Sequence, residues 1–258
     1  MMTKVWNLKR ILEPESMDSL EEAIPYDALV SDKQGDILDE CFALSILNMG
    51  VTEGKILDIG TGTGRIPIKI AKKCPQYLIT AIDLSKNMLK VANENKRRYG
   101  VEDYIEFQYG DAKKMLFDDD YFDIVISHVT FHHIANPVPV LKEANRVLKP
   151  GGALIVRDLK RPINKLLVKL FITIFGSQFD KIQKKLFRDS LMAGFTKKEF
   201  HAFAEQAGIT DYKITQHFIT HIGIEKKAMN YKKPKCAYEL PSGNDMKIKM
   251  MIKHYISR

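Results

Sequence analysis

Three glycines alternate with threonines in the stretch ILDIGTGTGRIPIKIA, residues 56 to 71. Gly60, Gly62 and Gly64 follow a short apolar run ending at Asp58, and a helix-like pattern begins behind them. Bare backbone at such a place lets the chain turn sharply and approach a ligand with no Cβ in the way. The next apolar run closes on AIDLS, which sets Asp83 at its tip, 19 residues beyond Gly64. An acidic side chain there accepts hydrogen bonds from ribose hydroxyls, so the two features together call for a ligand that contains a nucleoside. Farther along, Asp111 stands in a GDA turn, and His128, His132, His133 and Asp158 stand at or just after the ends of two more apolar runs. Such groups could move a proton on or off a second substrate. Adjacent histidines with no third ligand nearby in the sequence do not make a metal site, and none is expected.

Those residues need a scaffold that brings strand ends together. Between residues 55 and 157 the runs KILDI, LITAID, YIEFQY, FDIVIS and GALIVRD alternate with helix-like segments starting near Gly64, Ser85 and Asn136. This alternation calls for a parallel sheet with helices on both faces. Ser85 stands where a helix cap is expected, Gly100 where a helix stops, and LKPGG punctuates the last helix before its strand. Beyond Asp158, residues 163 to 175 are apolar except for a stripe of Lys165, Lys169 and Thr173, and residues 179 to 191 set Phe179, Ile182 and Leu186 on one face, so two helices are inserted. TKKEFHAFAEQAG reads as an amphipathic helix, and DYKITQHFITHIGIEK as a closing antiparallel strand pair. The expected organisation is an N-terminal helical cover over 1–50, a domain over 51–225 with a helical insertion at 160–195, and a basic tail over 226–258.

The glycine spacing narrows the ligand. Dinucleotide sites want GxGxxG, but counting from Gly60 the third position falls on Arg65, which would crowd a pyrophosphate. The spacing GxGxG leaves S-adenosylmethionine as the better fit. With these motifs in order, LDIGTGTG, AIDLSKNML, QYGDAKKM, FDIVISHVTFHHI and EANRVLKPGGALIV, the chain from about Ile56 to Asp158 resembles the class I S-adenosylmethionine-dependent methyltransferases, and within them the ubiquinone and menaquinone biosynthesis group. The resemblance implies a Rossmann-like α/β three-layer sandwich, its seven-stranded and mostly parallel sheet ending in an antiparallel strand. It also implies that Asp58, Gly60, Thr61 and Gly62 line the methionine and ribose end of the cofactor, that Asp83 with Leu84 takes the ribose hydroxyls, and that Met88 flanks the adenine. Asp111 with Ala112 would accept from the adenine amino group, and Ser127 would sit where the fourth strand opens toward the methyl group. His128, His133 and Asp158 are the candidate acceptor-side bases. S-adenosylhomocysteine would be the product.

Composition bounds the rest. At 258 residues and 45% hydrophobic content the chain fills one generous α/β domain. No secretory leader or bilayer-length apolar run is evident, which reads as cytoplasmic. Cys41, Cys74 and Cys236 are too widely spaced to suggest a disulfide framework or a metal knuckle. Residues 160–198 hold ten Lys/Arg against two Asp/Glu, and 226–258 hold nine against two, so the net charge of +8 belongs to the appendages. The apolar insertion suggests a small apolar or aromatic acceptor, or contact of 163–190 with a membrane surface; a homodimer interface is the competing account. Arg157, Lys160 and Arg161 in RDLKRP stand where an anionic acceptor could be held, with surface solvation as the alternative. Nucleobase amino methylation is disfavoured because the family motif (D/N/S)PP(Y/F/W) is replaced by SHVT, and nucleic acid is not the expected partner. The alternatives are an RNA or protein methyltransferase that uses the basic segments, a cofactor-binding partner subunit that no longer methylates, and an aminopropyl transferase.

Overall fold

The computed structural model describes residues 8–14 and 33–232. Seven strands form one sheet: β1 (Gly54–Ile59), β2 (Tyr77–Asp83), β3 (Ile105–Tyr109), β4 (Phe122–His128), β5 (Leu148–Leu159), β6 (Lys213–His217) and β7 (His221–Lys226). Their order is β3-β2-β1-β4-β5-β7-β6. The first five strands run parallel, and β7 lies antiparallel to both β5 and β6. The chain therefore leaves β1 in one direction and β4 in the other, and the crevice between their carboxyl ends is where open α/β sheets take ligands.

The helices α1 (Lys33–Leu47), α2 (Arg65–Lys73), α3 (Lys86–Arg98), α4 (Val138–Val147), α5 (Lys165–Phe175), α6 (Lys181–Ala193) and α7 (Lys197–Gln206) flank the sheet. Strand alternation sorts the core onto two faces. Ile56, Ile124, Ile126 and Ile155 bury with Phe42, Ile68 and Tyr77 on one side, while Leu57, Ile59, Val125, Leu154 and Val156 bury with Phe131, Leu141, Phe195 and Phe200 on the other. The signals for α3 act as expected: the Ser85 hydroxyl accepts from the Met88 amide at 3.2 Å, and Gly100 takes a left-handed φ of 63°. The inserted α6 and the following α7 each begin with a reciprocal cap, Asp180 with Gln183 and Thr196 with Glu199.

Two boundaries and the state of one cysteine differ from the sequence reading. LKPGG does not separate helix from strand but belongs to β5: Leu148 pairs with Phe122, the register shifts before Ile124, and Gly151 turns left-handed at φ 75°. The chain after β7 continues as ordered structure to Lys232, where the amides of Ala228, Met229 and Lys232 donate to the carbonyls of Met49, Gly151 and Gly50. That places residues 227–232 at the edge of the sheet opposite the crevice. Cys41 is a buried free thiol, and Cys74 is disulfide-bonded, so one link exists where spacing suggested none. Half of the expected N-terminal cover, residues 1–7 and 15–32, and residues 233–258 of the tail lie outside the described residues. Among the described residues no helix is long and apolar enough to cross a membrane.

Candidate active site

The glycine loop joins β1 to α2 at the crevice, and all three glycines adopt positive φ: 69°, 56° and 80° for Gly60, Gly62 and Gly64. Their surroundings give them different tasks. A Cβ on Gly60 would stand 2.0 Å from Thr130 Cγ2, and one on Gly64 would stand 2.5 Å from Phe107 Cζ, so both are required by packing. A Cβ on Gly62 would meet no protein atom within 4 Å, which leaves that face of the loop open. The Gly62 amide donates to Asp83 Oδ2 at 2.8 Å, and the Ser85 amide donates to Asp83 Oδ1 at 2.8 Å. Burial raises the Asp83 carboxyl, while these amides favour its ionised form. Each oxygen keeps a lone pair for a ligand hydroxyl.

Around this loop a pocket is lined by Gly60, Gly62, Asp83, Leu84, Met88, Asp111, Ala112, Val129, Thr130, His133 and Ile134, among others. Seven of these were expected for the cofactor, and His133 was expected on the acceptor side. Asp111 is exposed and accepts from the Lys113 amide at 2.9 Å, which fixes the turn it begins. Asp58 and Thr61 lie beneath the loop. Asp58 Oδ2 and Thr61 Oγ1 are buried with no hydrogen bond of good geometry, and burial pushes the Asp58 carboxyl up to about 7 although the Thr61 side chain favours its ionised form. A ligand that brings a positive charge and hydrogen-bond donors over the end of β1 would satisfy both atoms. Ser127 is not at the pocket: it is fully buried, and its hydroxyl donates to the Ile59 carbonyl at 2.8 Å, tying β4 to β1. Arg65 does not crowd the loop either, because its guanidinium turns away to Asp39 at 2.7 Å and Asp36 at 3.2 Å on α1.

The structure separates the candidate bases. Asp158 is completely buried, with Oδ1 accepting from His132 Nδ1 at 2.8 Å and from the Leu159 amide at 2.6 Å, and Oδ2 from the His132 amide at 3.0 Å. A carboxylate so fully engaged positions His132 and is not the group that meets an acceptor. Burial works to raise it, but the charge and hydrogen bonds of His132 outweigh that and hold it down. His128 lies on the other face, stacked on Phe42 at 4.2 Å between ring centroids, with Nε2 3.6 Å from Asp39. His133 lines the pocket and donates from Nδ1 to the Pro14 carbonyl at 2.9 Å, leaving Nε2 as a base; burial pushes it down to about 4, so it is neutral at ordinary pH.

Neither of the two expected arginines is free for an anion, and neither is a solvated surface group. Arg157 is 2% exposed and donates to Ser45 Oγ at 2.8 Å, with Glu225 at 3.6 Å; Arg161 donates to the Gly194 carbonyl and to both Glu199 oxygens at 2.7 and 2.9 Å. Lys160 donates to Gln216 at 2.7 Å.

The sequence predicts an N-terminal helical cover over 1–50; residues 8–14 form a non-helical strap, whose contacts it does not foreshadow. Arg10 donates to the carbonyls of Phe131, His132, Ile134, Ala135 and Ala193 and covers the Phe195 ring at 4.2 Å. Glu13 then reaches His132 Nε2 at 3.5 Å and the Ser190 hydroxyl at 3.2 Å. The strap thus supplies the third potential ligand, a carboxylate, that the histidine pair lacked in sequence. No local signal could have found it, since Glu13 is an unremarked acid far upstream.

A seven-stranded sheet in this order, with a glycine loop and an acidic strand tip at its switch point, defines the class I S-adenosylmethionine-dependent methyltransferase architecture. Residues 51–223 match the methyltransferase-domain family, and the chain belongs to it. It is similar to a ubiquinone/menaquinone biosynthesis C-methyltransferase of Pseudomonas savastanoi pv. phaseolicola, 30% identical over 66% of this chain and 69% of that one. It is also similar to a demethylmenaquinone methyltransferase of Staphylococcus aureus, 30% identical over 70% and 80%. Among solved structures, the phosphoethanolamine N-methyltransferase 2 of Haemonchus contortus in complex with S-adenosyl-L-methionine shares the fold at a TM-score of 0.59 and 20% identity, over 76% of this chain and 43% of that one. The protein is therefore an enzyme that uses S-adenosylmethionine as methyl donor.

Proposed function

We propose that the acceptor is a small apolar or aromatic molecule of the quinol class, methylated by in-line displacement with the donor held over Gly62 and Asp83. The sulfonium of the bound donor supplies the activated methyl group. The chain's own work is alignment and exclusion of water, which can contribute about 7 to 11 kcal/mol of the barrier. His133, neutral and with Nε2 free, accepts a hydrogen bond from an acceptor hydroxyl; at about 4 it orients the group more than it removes the proton. Asp158 holds His132 and, through it, the loop that carries His133.

The observation that carries this reading is a groove of about 880 Å³ between α5 and α6, lined by Val168, Ile172, Ile11 and Met192 with Lys165, Lys169, Lys184 and Arg188 at its rim. Its Ile11 and Met192 side adjoins the strap, two residues from Glu13 and hence from the histidine pair. An apolar tail lying in the groove would direct an attached ring toward the pocket. The names of the relatives, which are quinone-pathway methyltransferases, support the same class. Outside the groove, Leu166, Leu170 and Ile174 form an exposed apolar stripe at a spacing of four along α5, with Ile163 exposed just ahead of the helix and Leu166 at 74% exposure. That stripe beside lysines suits contact with an anionic membrane surface from which a tailed acceptor is taken.

The test is methyl transfer from labelled donor to a panel: a naphthoquinol with an isoprenoid tail, the same ring without a tail, bulk RNA and basic peptides. Transfer to the tailed quinol in preference to the bare ring is expected. Label entering only RNA or peptide would reject the proposal in favour of a macromolecular acceptor.

A further inference from the structure

One oxygen of Glu13 and one ring nitrogen from each of His132 and His133 lie within 4.8 Å of one another. We propose that these three side chains hold a divalent cation of the zinc class at the wall of the donor pocket. Two imidazoles and a carboxylate are a ligand set for zinc and its first-row neighbours, and three protein ligands leave a further position for water or a substrate oxygen.

Three independent features point the same way. First, His132 is oriented as metal-bound histidines usually are, with one nitrogen donating to an acceptor behind it. His132 Nδ1 donates to Asp158 at 2.8 Å, so its Nε2, 3.5 Å from Glu13, is left to coordinate; the His133 nitrogen facing Glu13 is Nδ1, at 4.0 Å, and it would give up the Pro14 carbonyl, 2.9 Å away, on coordinating. Asp158 is itself fixed by the amides of His132 and Leu159. Second, Glu13 Oε2 is buried with no hydrogen-bond partner, 3.5 Å from His132 Nε2, while Oε1 accepts from Ser190. An orphaned buried carboxylate oxygen beside two imidazoles is a costly arrangement unless a cation sits among them. Zinc bonds of about 2.0 to 2.2 Å set ligand atoms roughly 3.4 Å apart, so the cluster needs only a modest contraction. Third, His133 also lines the donor pocket beside Thr130 and Ile134, so a cation here faces the reaction space.

Arg10 is one cation already present, its guanidinium engaged by the carbonyl oxygens of Phe131, His132, Ile134 and Ala135, and His132, whose charged form Asp158 and Glu13 favour, is a second that bound metal would displace as a proton. An acceptor hydroxyl taking the open position would lose its proton more readily than in water. The inference holds whatever the acceptor is, and its test does not depend on turnover.

Chelator-treated full-length protein is titrated with zinc chloride by calorimetry, and separately with cobalt(II) while the visible spectrum is recorded. One equivalent of zinc should bind at micromolar affinity or better, and Glu13→Gln and His133→Gln should each weaken it at least about tenfold, with S-adenosylhomocysteine affinity retained in Glu13→Gln, and an unchanged circular dichroism spectrum in His133→Gln, as the controls for folding. Cobalt bound to the wild type should give the strong bands of a four- or five-coordinate nitrogen and oxygen site. Absence of a stoichiometric zinc isotherm, equal binding by wild type and both variants, or a cobalt spectrum matching the hydrated ion would each overturn the proposal. The cluster would then be a hydrogen-bonded clasp for the strap.

Discussion

At the scale of single residues, the glycine loop separates two kinds of necessity. Gly60→Ala forces a Cβ into Thr130 at a left-handed φ, whereas Gly62→Ala meets no protein atom and bears only the left-handed conformation. The first should lower stability by more than the 1 to 3 kcal/mol typical of a strained backbone site, the second by about 1 kcal/mol. Both should weaken S-adenosylhomocysteine. Melting temperatures and calorimetric affinities measured together check this; equal destabilisation by the two would contradict it. Asp58 offers a second test. Burial holds it at about 7, and a cationic donor above it would favour ionisation, so S-adenosylmethionine binding near pH 7 should release protons and tighten as pH rises. Titrations in buffers of different ionisation enthalpy measure the proton count; proton uptake would exclude Asp58 from the donor site. Gly60, Gly62, Asp83 and Asp111 were legible in the sequence because their spacing is fixed locally by strand, turn and helix. Ser127 and Asp158 were misjudged because the sequence shows where a side chain stands along a strand, not whether a neighbouring carbonyl or ring already occupies it.

At the scale of elements, the strap and the α5–α6 hairpin contribute no residue to the pocket around Gly62 and Asp83, and stand where the proposal puts the acceptor. Arg10 closes the histidine loop onto α6 through its carbonyl contacts. Arg10→Ala should therefore raise the acceptor KM several-fold and leave the affinity for S-adenosylhomocysteine within about twofold, because hydrogen bonds to a charged donor are worth roughly 1.5 to 3 kcal/mol each only where nothing replaces them. Loss of donor binding would mean that the strap braces the glycine loop as well. Leu166→Asp with Leu170→Asp should abolish sedimentation with anionic vesicles while leaving a short-chain acceptor unaffected; unchanged sedimentation would place membrane contact elsewhere. The hairpin was visible in the sequence through its period of four, yet the groove it forms was not, since its far wall includes Ile11 from the strap. Arg157 and Arg161 illustrate the same limit: a basic run at a strand end reads as surface until Glu225 and Glu199 are seen to close over it.

At the scale of the molecule, buried histidines set the acid limit. Burial holds His133 at about 4 and His221 at about 3, below the ordinary value near 6.5. Their folded values are depressed, so the unfolded chain binds more protons across that window and stability is lost as pH falls from about 6.5 toward 3. Asp158, held low, adds loss in the same direction below about 3.9. His132 opposes this: burial works against its charge, but Asp158 and Glu13 outweigh it and hold it up, so its contribution is full below 6.5 and fades as pH rises through its folded value. With four depressed histidines, His128, His133, His217 and His221, set against the raised His132 and the raised carboxyls of Asp58, Asp83 and Glu13, the melting temperature should fall between pH 6.5 and 4 by calorimetry. A flat profile there would show that these rings reach solvent in the folded state.

The central claim is that Asp83 and the open face of Gly62 hold the methyl donor. Its most direct test is calorimetric titration of the wild type and of Asp83→Ala with S-adenosylhomocysteine, with NAD as control. The account predicts micromolar binding of the first ligand, none of the second, and a loss in the variant of about 1.5 to 3 kcal/mol, or roughly 10- to 150-fold. Unchanged affinity in Asp83→Ala would remove Asp83 from the donor site and contradict the account.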